Sequence, residues 1–379
     1  MRNVVFFHPS SDLYGADKIL IYIMKNFRGD RVRLVLKNDG PLVGLVRREC
    51  PEVEIIMAAS MPVAAKKDLK PGGIMKFVRS LFTFGKIVKR LQAEGLDVVY
   101  INTLALVPVL FFFRKSKVKK IIHIHEIMTN DKLLHRLLNG FALKLADAVI
   151  CVSDAVRRNL CGLGYDDKLQ TVHNGISFKP DSGDLRKMDV DAGKVNMALI
   201  GRIKPKNKGQ ILLLEAMAKM QKEVLEKTHF YFVGSPVQGQ EYMLAEVENK
   251  IDELSLRKYV TMVSFVTDIE TVYKAMDVII VPSVFDDPFP TTVLEGMYWS
   301  RPVIGTATGG IPEMIVDGET GFIAERDNPN SLADKITTLV ADKALAARMG
   351  ENGRRRFENN FTEEAFNVRF GEAVRRILD

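Results

Sequence analysis

The sequence is poor in cysteine and lacks long apolar runs. Its three cysteines, Cys50, Cys151 and Cys161, are odd in number and form no CxxC pair. We therefore expect neither a disulfide framework nor a zinc cluster, and a reduced, cytosolic protein. No uninterrupted apolar run reaches the ~18 to 20 residues that a membrane span needs. The apolar run in the first residues, MRNVVFFHPSSD, is too short for a signal peptide and predicts a first buried strand.

Several sequence motifs for nucleotides and metals are also missing. The chain has no GxxxxGK[ST] loop, and no GxGxxG follows the first predicted strand, which disfavours a dinucleotide-binding enzyme. HExxH is absent because the letters at 125–129 are HEIMT. His123, His125 and Glu126 could still meet beside one strand, so a metal site there stays an alternative. No nucleic-acid-binding motif accompanies the basic and aromatic stretch 111–120, so no nucleic-acid partner is expected.

What the sequence contains fits a globular protein of two domains. Of its 379 residues, 47% are hydrophobic, enough to fill two cores. Apolar, β-rich runs alternate with helical patterns, and most of the runs are continuous, as in parallel strands buried on both faces. We therefore predict two doubly wound α/β domains. The predicted strands are 3–8, 31–37, 53–57, 97–102, 120–125, 147–153, 196–201, 229–234, 259–265, 277–283 and 301–306, and the helices include 74–92, 208–227 and 332–349.

The boundary between the domains is predicted at FKPDSGDLRKMDVDAGK, residues 178–194, which is polar and turn-rich. We therefore expect an N-terminal domain at 1–180, a linker at 181–194 and a C-terminal domain at 195–360. A final helix at 361–379 could return to the N-terminal domain.

The positive charge is concentrated in the first half. Residues 61–120 hold thirteen Lys and Arg and three Asp and Glu, whereas the whole chain has a net charge of +7. A basic segment of this kind favours an acidic partner, substrate or surface. The helical pattern at 74–91 could place its basic side against anionic lipid headgroups. The alternative is an ordinary helix with a solvated basic face.

The most informative stretch is 282–310, PSVFDDPFPTTVLEGMYWSRPVIGTATGG. It places Asp287 on a loop and Glu295 in the first turn of a helix that is predicted to start near Thr292. Helix N-termini present backbone N–H groups to anions. The stretch could therefore hold a phosphorylated sugar by its phosphates and hydroxyls. The alternatives are a capping box from Thr292 to Glu295 and a plain turn at Asp287.

Other candidate residues follow predicted strands, where open α/β sheets bind ligands. The loop GRIKPKNKG, 201–209, offers Arg202 and Lys208 as a pair suited to a diphosphate, with a basic surface loop as the alternative. His125 could be an active-site polar group or a satisfied strand-end histidine. Gly15 could let the backbone approach a ligand closely or form a tight turn.

At this point the chain resembles the family 4 glycosyltransferases, which have the GT-B fold. The resemblance rests on LYGADKIL, HIHE, VSDAVRRNL, TVHNGIS, GRIKPKNKG, YKAMDVIIVPS and DDPFPTTVLEGMYWSRPVIGTATGGIPEMIVDGETGF, which occur in the family's order. It implies two Rossmann-like domains facing each other across a cleft. It also implies a nucleotide-sugar donor bound mainly by the C-terminal domain and an acceptor bound mainly by the N-terminal one. Transfer in the family retains anomeric configuration and needs no metal.

The resemblance also implies roles for single residues. Arg202 and Lys208 would hold the diphosphate, Glu295 would contact the ribose, and His125 would lie near the reacting sugar. Asp287 stands where the family's E-x7-E pattern has Glu, and Tyr14-Gly15 stands where Gly-Gly is usual. The backbone near four residues would contact the sugar and phosphate: Phe289, Pro290, Thr291 and Thr292. Base selection is expected from backbone contacts near Gly234 and Phe265.

We therefore predict a hexosyltransferase with His125 and Asp287 as its catalytic residues and neither a cofactor nor a metal. It would move a sugar from a nucleotide-diphosphate sugar, a UDP-sugar, to a glycan or lipid-linked glycan acceptor in surface polysaccharide synthesis. It would be cytoplasmic, with a peripheral association with the inner face of the cell membrane. The alternatives are a nucleotide-sugar epimerase or a phosphorylase on the same fold, and a catalytically silent nucleotide-sugar-binding protein.

Overall fold

The computed structural model describes residues 1–12, 15–64, 71–128, 132–178, 188–266 and 268–379. This part of the chain forms two compact units, residues 1–174 with 363–379 and residues 175–362. Tyr14 and much of the predicted linker lie outside the described residues. None of the described helices is long and apolar enough to cross a membrane.

The first unit is built on a seven-stranded, all-parallel sheet with the strand order β3-β2-β1-β4-β5-β6-β7. Strands such as β4 and β6 are buried at every position, as expected for continuous apolar runs covered on both faces. The elements are β1 (Asn3–His8), α1 (Gly15–Lys25), β2 (Arg31–Leu36), α2 (Pro41–Glu49), β3 (Glu54–Met57), α3 (Pro71–Ala93), β4 (Val98–Ile101), α4 (Val107–Leu110), β5 (Lys119–Ile124), α5 (Lys132–Leu145), β6 (Ala148–Cys151), α6 (Asp154–Leu160) and β7 (Leu169–Thr171).

The second unit is built on a six-stranded, all-parallel sheet with the order β10-β9-β8-β11-β12-β13. Its elements are β8 (Val195–Ile200), α7 (Pro205–Lys208), α8 (Gln210–Lys219), α9 (Lys222–Leu225), β9 (Thr228–Val233), α10 (Tyr242–Glu253), β10 (Val260–Val263), α11 (Ile269–Ala275), β11 (Val278–Val281), α12 (Thr291–Tyr298), β12 (Val303–Thr306), α13 (Ile311–Met314), β13 (Gly321–Ala324), α14 (Pro329–Ala341) and α15 (Lys343–Asn360).

The last helix, α16 (Glu363–Leu378), packs in the first unit. The Phe370 ring lies 6.3 Å from the Tyr100 ring and 6.3 Å from the His123 ring. At the helix start, Asn26 Nδ2 donates to Asn367 Oδ1 over 2.7 Å. Residues far apart in sequence therefore complete the core of the first unit.

Both sheets are doubly wound, so each has a point where the strand order reverses. In the first unit it lies between β1 and β4, and in the second between β8 and β11. The crevice outside the carboxyl ends of such strands is where open α/β sheets bind ligands. The predicted doubly wound α/β architecture is confirmed, and it places Arg202, Lys208 and Asp287 after the two strands at the second of these points.

Two of the predicted helices are wrong in extent. The pattern at 332–349 predicts one helix, but the chain forms α14 and α15, with a break at Asp342. The Asp342 side chain accepts a hydrogen bond from the Leu345 N–H over 2.8 Å and so caps a new helix, which continuous apolar spacing does not reveal. The segment 208–227 likewise forms the end of α7, then α8 and α9. Strands β7 and β13, both at sheet edges, are additional to the predicted ones.

Candidate active site

A cluster of cations lies directly after β8 in the second unit. Arg202 follows the strand, and Lys204 and Lys208 belong to the short loop and helix that come next. Burial lowers the pKa of Lys204, and the nearby positive charges of Arg202 and Lys208 lower it further. Lys206 lies apart from this group, since its side chain is 83% exposed and pairs with Glu246 over 3.7 Å. Arg202, Lys204 and Lys208 are therefore close enough for their charges to interact, and Lys206 lies apart from them.

Gly209 fixes this cluster against the end of β11. Its φ of 79° lies in the left-handed region, and a Cβ there would stand 1.8 Å from the Pro282 carbonyl oxygen. Only glycine fits such a position. The close approach brings Lys208 beside the loop that follows β11. There Lys208 Nζ lies 2.5 Å from Asp287 Oδ2 and 5.1 Å from the centre of the Phe285 ring.

The loop that carries Asp287 is held by its neighbours. The Gly310 N–H donates to the Asp287 carbonyl over 2.9 Å, and the Val284 N–H donates to the Asn207 carbonyl over 2.9 Å. A Cβ at Gly309, whose φ is 50°, would meet the Asp287 carbonyl oxygen at 2.0 Å. Asp287 is only 6% exposed as a result. The structure therefore presents Asp287 as a buried, ion-paired carboxylate in a fixed loop.

Glu295 makes a contact that the sequence does not predict. Helix α12 begins at Thr291 after Pro290, without a side-chain cap, so the capping box from Thr292 is wrong. Proline at the cap position has no side-chain acceptor, and Glu295 is instead free to turn toward Tyr273. The Tyr273 hydroxyl donates to Glu295 Oε2 over 2.5 Å. Burial, with the Glu295 charge next, raises the pKa of Tyr273, which therefore remains a neutral donor that orients the carboxylate.

The remaining donor-side candidates separate into backbone and side-chain positions. Phe289 is 6% exposed and its ring lies 5.9 Å from the Phe361 ring, so its side chain belongs to the core. Thr291 opens α12, where the Val293 N–H donates to the Pro290 carbonyl over 3.2 Å, so the first-turn N–H groups without an intrahelical acceptor are those of Thr291 and Thr292. Beside Gly234, which follows β9, the Ser235 hydroxyl oxygen accepts from the Phe265 N–H over 3.0 Å. The Phe265 side chain is 71% exposed, as a platform for a planar ring would be.

In the first unit, His125 heads a chain of hydrogen bonds at the switch point. His125 Nε2 lies 3.1 Å from Asn102 Oδ1, and Asn102 Nδ2 lies 3.3 Å from His8 Nδ1. His8 Nε2 lies 2.5 Å from Asp17 Oδ1. Because a carboxylate only accepts, the proton between His8 and Asp17 belongs to His8 Nε2. Asn102 then donates to His8 and accepts from His125 Nε2–H, which leaves His125 Nδ1 as an acceptor.

His125 is neutral in this arrangement. Burial, followed by the nearby His8 ring, lowers the pKa of His125 to about 3. The unfolded chain has a histidine pKa near ~6.5, so the folded protein binds fewer protons between these values. A neutral ring can offer Nδ1 to a hydroxyl of a sugar, which an imidazolium cannot.

We expect the thermal stability of the protein to fall as the pH drops from about 6.5 toward 3, and His125→Asn to reduce that fall. The folded state resists protonation at position 125, so the unfolded state gains protons first and is favoured. Asn keeps a donor for Asn102 but does not titrate. Melting temperatures between pH 7.5 and 4.5 measure the difference. Equal slopes for the parent and the variant would contradict the assignment of a neutral, buried His125.

The metal alternative near His125 is not supported. The Glu126 carboxylate accepts from the Thr103 hydroxyl and, over 3.1 Å, from the His125 N–H. His123 is buried, with Nδ1 2.9 Å from the Tyr100 hydroxyl. Within the described ranges, the possible ligand atoms of His123, His125 and Glu126 do not all lie within 4.8 Å of one another, as they would around one metal ion. Gly15, the remaining candidate of this unit, opens α1.

Two protein families match the chain one after the other. Residues 28–179 match Glycosyltransferase Family 4, and residues 185–356 match Glycosyl transferases group 1. The chain belongs to the family 4 glycosyltransferases. It is thus a retaining enzyme of the hexosyltransferase type that uses nucleotide sugars, as the sequence predicted.

Individual relatives agree with this assignment. An uncharacterized glycosyltransferase of Methanocaldococcus jannaschii is 26% identical over 306 residues, which cover 76% of this chain and 78% of the relative. The capsular polysaccharide biosynthesis glycosyltransferase CapM of Staphylococcus aureus is 29% identical over 244 residues, 60% of this chain and 61% of CapM. HepE of Anabaena, solved with UDP and glucose, superposes with a TM-score of 0.80 at 22% identity, over 99% of this glycosyltransferase and all of HepE. This likeness confirms the predicted GT-B fold.

Proposed function

We propose that this glycosyltransferase moves a hexose from UDP-hexose to a lipid-linked glycan in surface polysaccharide synthesis. The observation that carries the donor part is Lys208, whose Nζ lies 2.5 Å from Asp287 in the loop between β11 and α12. It brings a cation of the segment after β8 to the loop that leads into the α12 N-terminus, at the switch point of the second sheet. A diphosphate fits this combination, and Glu295, held by Tyr273, would accept hydrogen bonds from the ribose hydroxyls.

The same groups account for the chemistry. Breaking the sugar–phosphate bond places negative charge on the leaving diphosphate and positive charge on the sugar ring. Arg202, Lys208 and the α12 N-terminus would stabilise the diphosphate electrostatically, in the role that a divalent cation has in other enzymes. Asp287 would accept a hydrogen bond from a sugar hydroxyl, and neutral His125 would offer Nδ1 to another. The leaving phosphate itself would take the proton of the acceptor.

Two observations favour uracil as the base of the donor and a surface polysaccharide as the product. HepE, which shares the fold, was solved with UDP and with UDP and glucose, and CapM acts in capsular polysaccharide biosynthesis. In this chain the exposed Phe265 lies beside Ser235, since its N–H donates to the Ser235 hydroxyl oxygen over 3.0 Å. Stacking on the ring and hydrogen bonds to this backbone would hold a pyrimidine.

The test is a panel of nucleotide sugars in a thermal-shift assay, with EDTA in every sample. We expect UDP and one UDP-hexose to raise the melting temperature most, since a ligand at 100 times its Kd adds ~2.7 kcal/mol of stability. The stabilising donor should then be consumed in EDTA only when a glycan acceptor is added. Activity that disappears in EDTA and returns with Mg²⁺ would overturn the cation-based account of the leaving group.

The same assay separates the rival functions. An epimerase would convert the donor to an isomer without any acceptor, and a phosphorylase would consume it only with inorganic phosphate. A silent binding protein would bind the donor tightly and turn over no acceptor. The replacement of the usual Glu by Asp287 is the one sequence feature that favours this last possibility.

A further inference from the structure

An apolar cavity of about 430 Å³ lies within the first unit, between α3, α5 and the segment that follows β4. Of the residues that the structure describes, thirteen line it, and Glu126 and Asn139 are the two of these with polar side chains. The walls are formed by side chains such as Phe77 and Leu81 of α3, and Leu138 and Phe141 of α5. Since one water occupies ~30 Å³ and a methylene group is of similar size, the cavity has room for on the order of ten methylene groups.

The surface around the cavity suits an amphiphile with an anionic head. Met75, Val78 and Phe82 of α3, at helical spacing, are exposed by 75%, 43% and 76%. The same helix carries five exposed cations and no acidic residue: Lys76, Arg79, Lys86, Lys89 and Arg90. Exposed apolar side chains beside cations are the combination that binds anionic lipid surfaces.

Glu126 connects the cavity to the polar site of this unit. It lines the cavity, and its carboxylate also accepts from the His125 N–H. A chain in the cavity would therefore have its head close to His125. This proximity distinguishes a substrate from bulk membrane lipid, which needs the exposed surface only.

We propose that this cavity binds the hydrocarbon chain of the acceptor, an anionic lipid whose head carries the growing glycan. The inference rests on the proposed function, because it assigns the acceptor of that reaction. The cations of α3 lie against its anionic head and the membrane from which it comes.

The first experiment measures binding of hexyl, octyl and decyl phosphate to the full chain by calorimetry, below their micelle concentrations. Burial of a methylene is worth ~0.8 kcal/mol, or about fourfold in affinity, so each step of two methylenes should tighten binding about 15-fold. Ala105→Phe fills the cavity and should abolish the dependence on chain length. Phe141→Ser, at a partly exposed position, should weaken the dependence on chain length. This second variant keeps the test valid if Ala105→Phe fails to fold. Val368→Ser, at an exposed position of α16 away from the cavity lining, is the matched control and should leave the dependence on chain length unchanged.

Chain-length independence in the parent, or full dependence in Ala105→Phe, would overturn the proposal. UDP thermal shifts are measured on the same samples, so failure of the donor assignment is seen separately. Binding to vesicles that contain phosphatidylglycerol is measured as well. The parent and Ala105→Phe should bind them equally, because this binding needs only the exposed surface of α3. If filling the cavity abolishes vesicle binding as well, the occupant is a bulk lipid and the acceptor assignment fails.

Discussion

Replacing Lys208 with Met should weaken UDP binding about 10- to 100-fold, whereas replacing Lys206 with Met should leave it unchanged. A hydrogen bond to a charged group is worth roughly 1.5–3 kcal/mol, and each 1.4 kcal/mol is about tenfold. Lys208 lies in the cation cluster, 2.5 Å from Asp287, while Lys206 is exposed and pairs with Glu246 on the surface. The two variants lose the same charge two positions apart. Calorimetric titration with UDP at fixed ionic strength measures both.

The comparison has two informative failures. Unchanged UDP affinity in Lys208→Met would mean that the diphosphate binds elsewhere. Equal losses in the two lysine variants would mean that general positive charge, and not a placed contact, attracts the nucleotide. Because Lys208→Met leaves Asp287 buried without its ion-pair partner, the double variant with Asp287→Asn provides the control for folding.

Replacing Asp287 with Asn should lower kcat/KM for sugar transfer about 100-fold and, at the same time, tighten the binding of plain UDP. The first effect follows if Asp287 contacts a sugar hydroxyl whose interaction strengthens in the transition state. The second follows because the ligand-free protein pairs Asp287 with Lys208, so the carboxylate competes with phosphate for the same ammonium group. A general loss of structure would lower both kcat/KM and the affinity for UDP, so it would not produce these opposite changes. Steady-state kinetics with a verified acceptor and UDP calorimetry measure them.

Asp287→Glu restores the residue that is usual in the family and adds one methylene, ~1.5 Å of reach. The loop around Asp287 is fixed by Gly309 and Gly310. Because the loop cannot move to accommodate the longer side chain, Asp287→Glu should keep its activity only if the sugar pocket itself has room for the extra methylene. Full activity in both the Asn and the Glu variants would reduce Asp287 to a turn residue.

Much of the fold is predictable because it depends on local patterns. Continuous apolar runs such as 97–102 and 147–153 can be satisfied only by strands covered on both faces, and they became β4 and β6. The edge strand β13, with the sequence GFIA, is too short and glycine-containing to stand out from a loop. The break at Asp342 depends on a single side-chain hydrogen bond, which apolar spacing does not encode.

The candidate site is predictable only in part, for a related reason. The resemblance placed Arg202, Lys208 and Glu295 in roles that stay predictions, and the structure brings Lys208 to Asp287 over 79 positions of sequence. The partners that orient the site were missed. Tyr273 reaches Glu295 over 22 positions, and Asn102 reaches His8 over 94. A single sequence holds no signal for such pairs, because each side chain also fits an ordinary surface or core position.

The return of α16 to the first unit has a consequence for the order in which the protein is made. A ribosome releases residues 363–379 only after the whole of residues 175–362, yet Phe370 of that helix packs on Tyr100 and His123, behind His125. The ribosome therefore begins the first unit before the second but completes its sequence after the second. A nascent chain stalled before residue 363 would expose the apolar surface that Phe366 and Phe370 later cover. We therefore expect such a stalled chain to be more prone to aggregation than the complete protein.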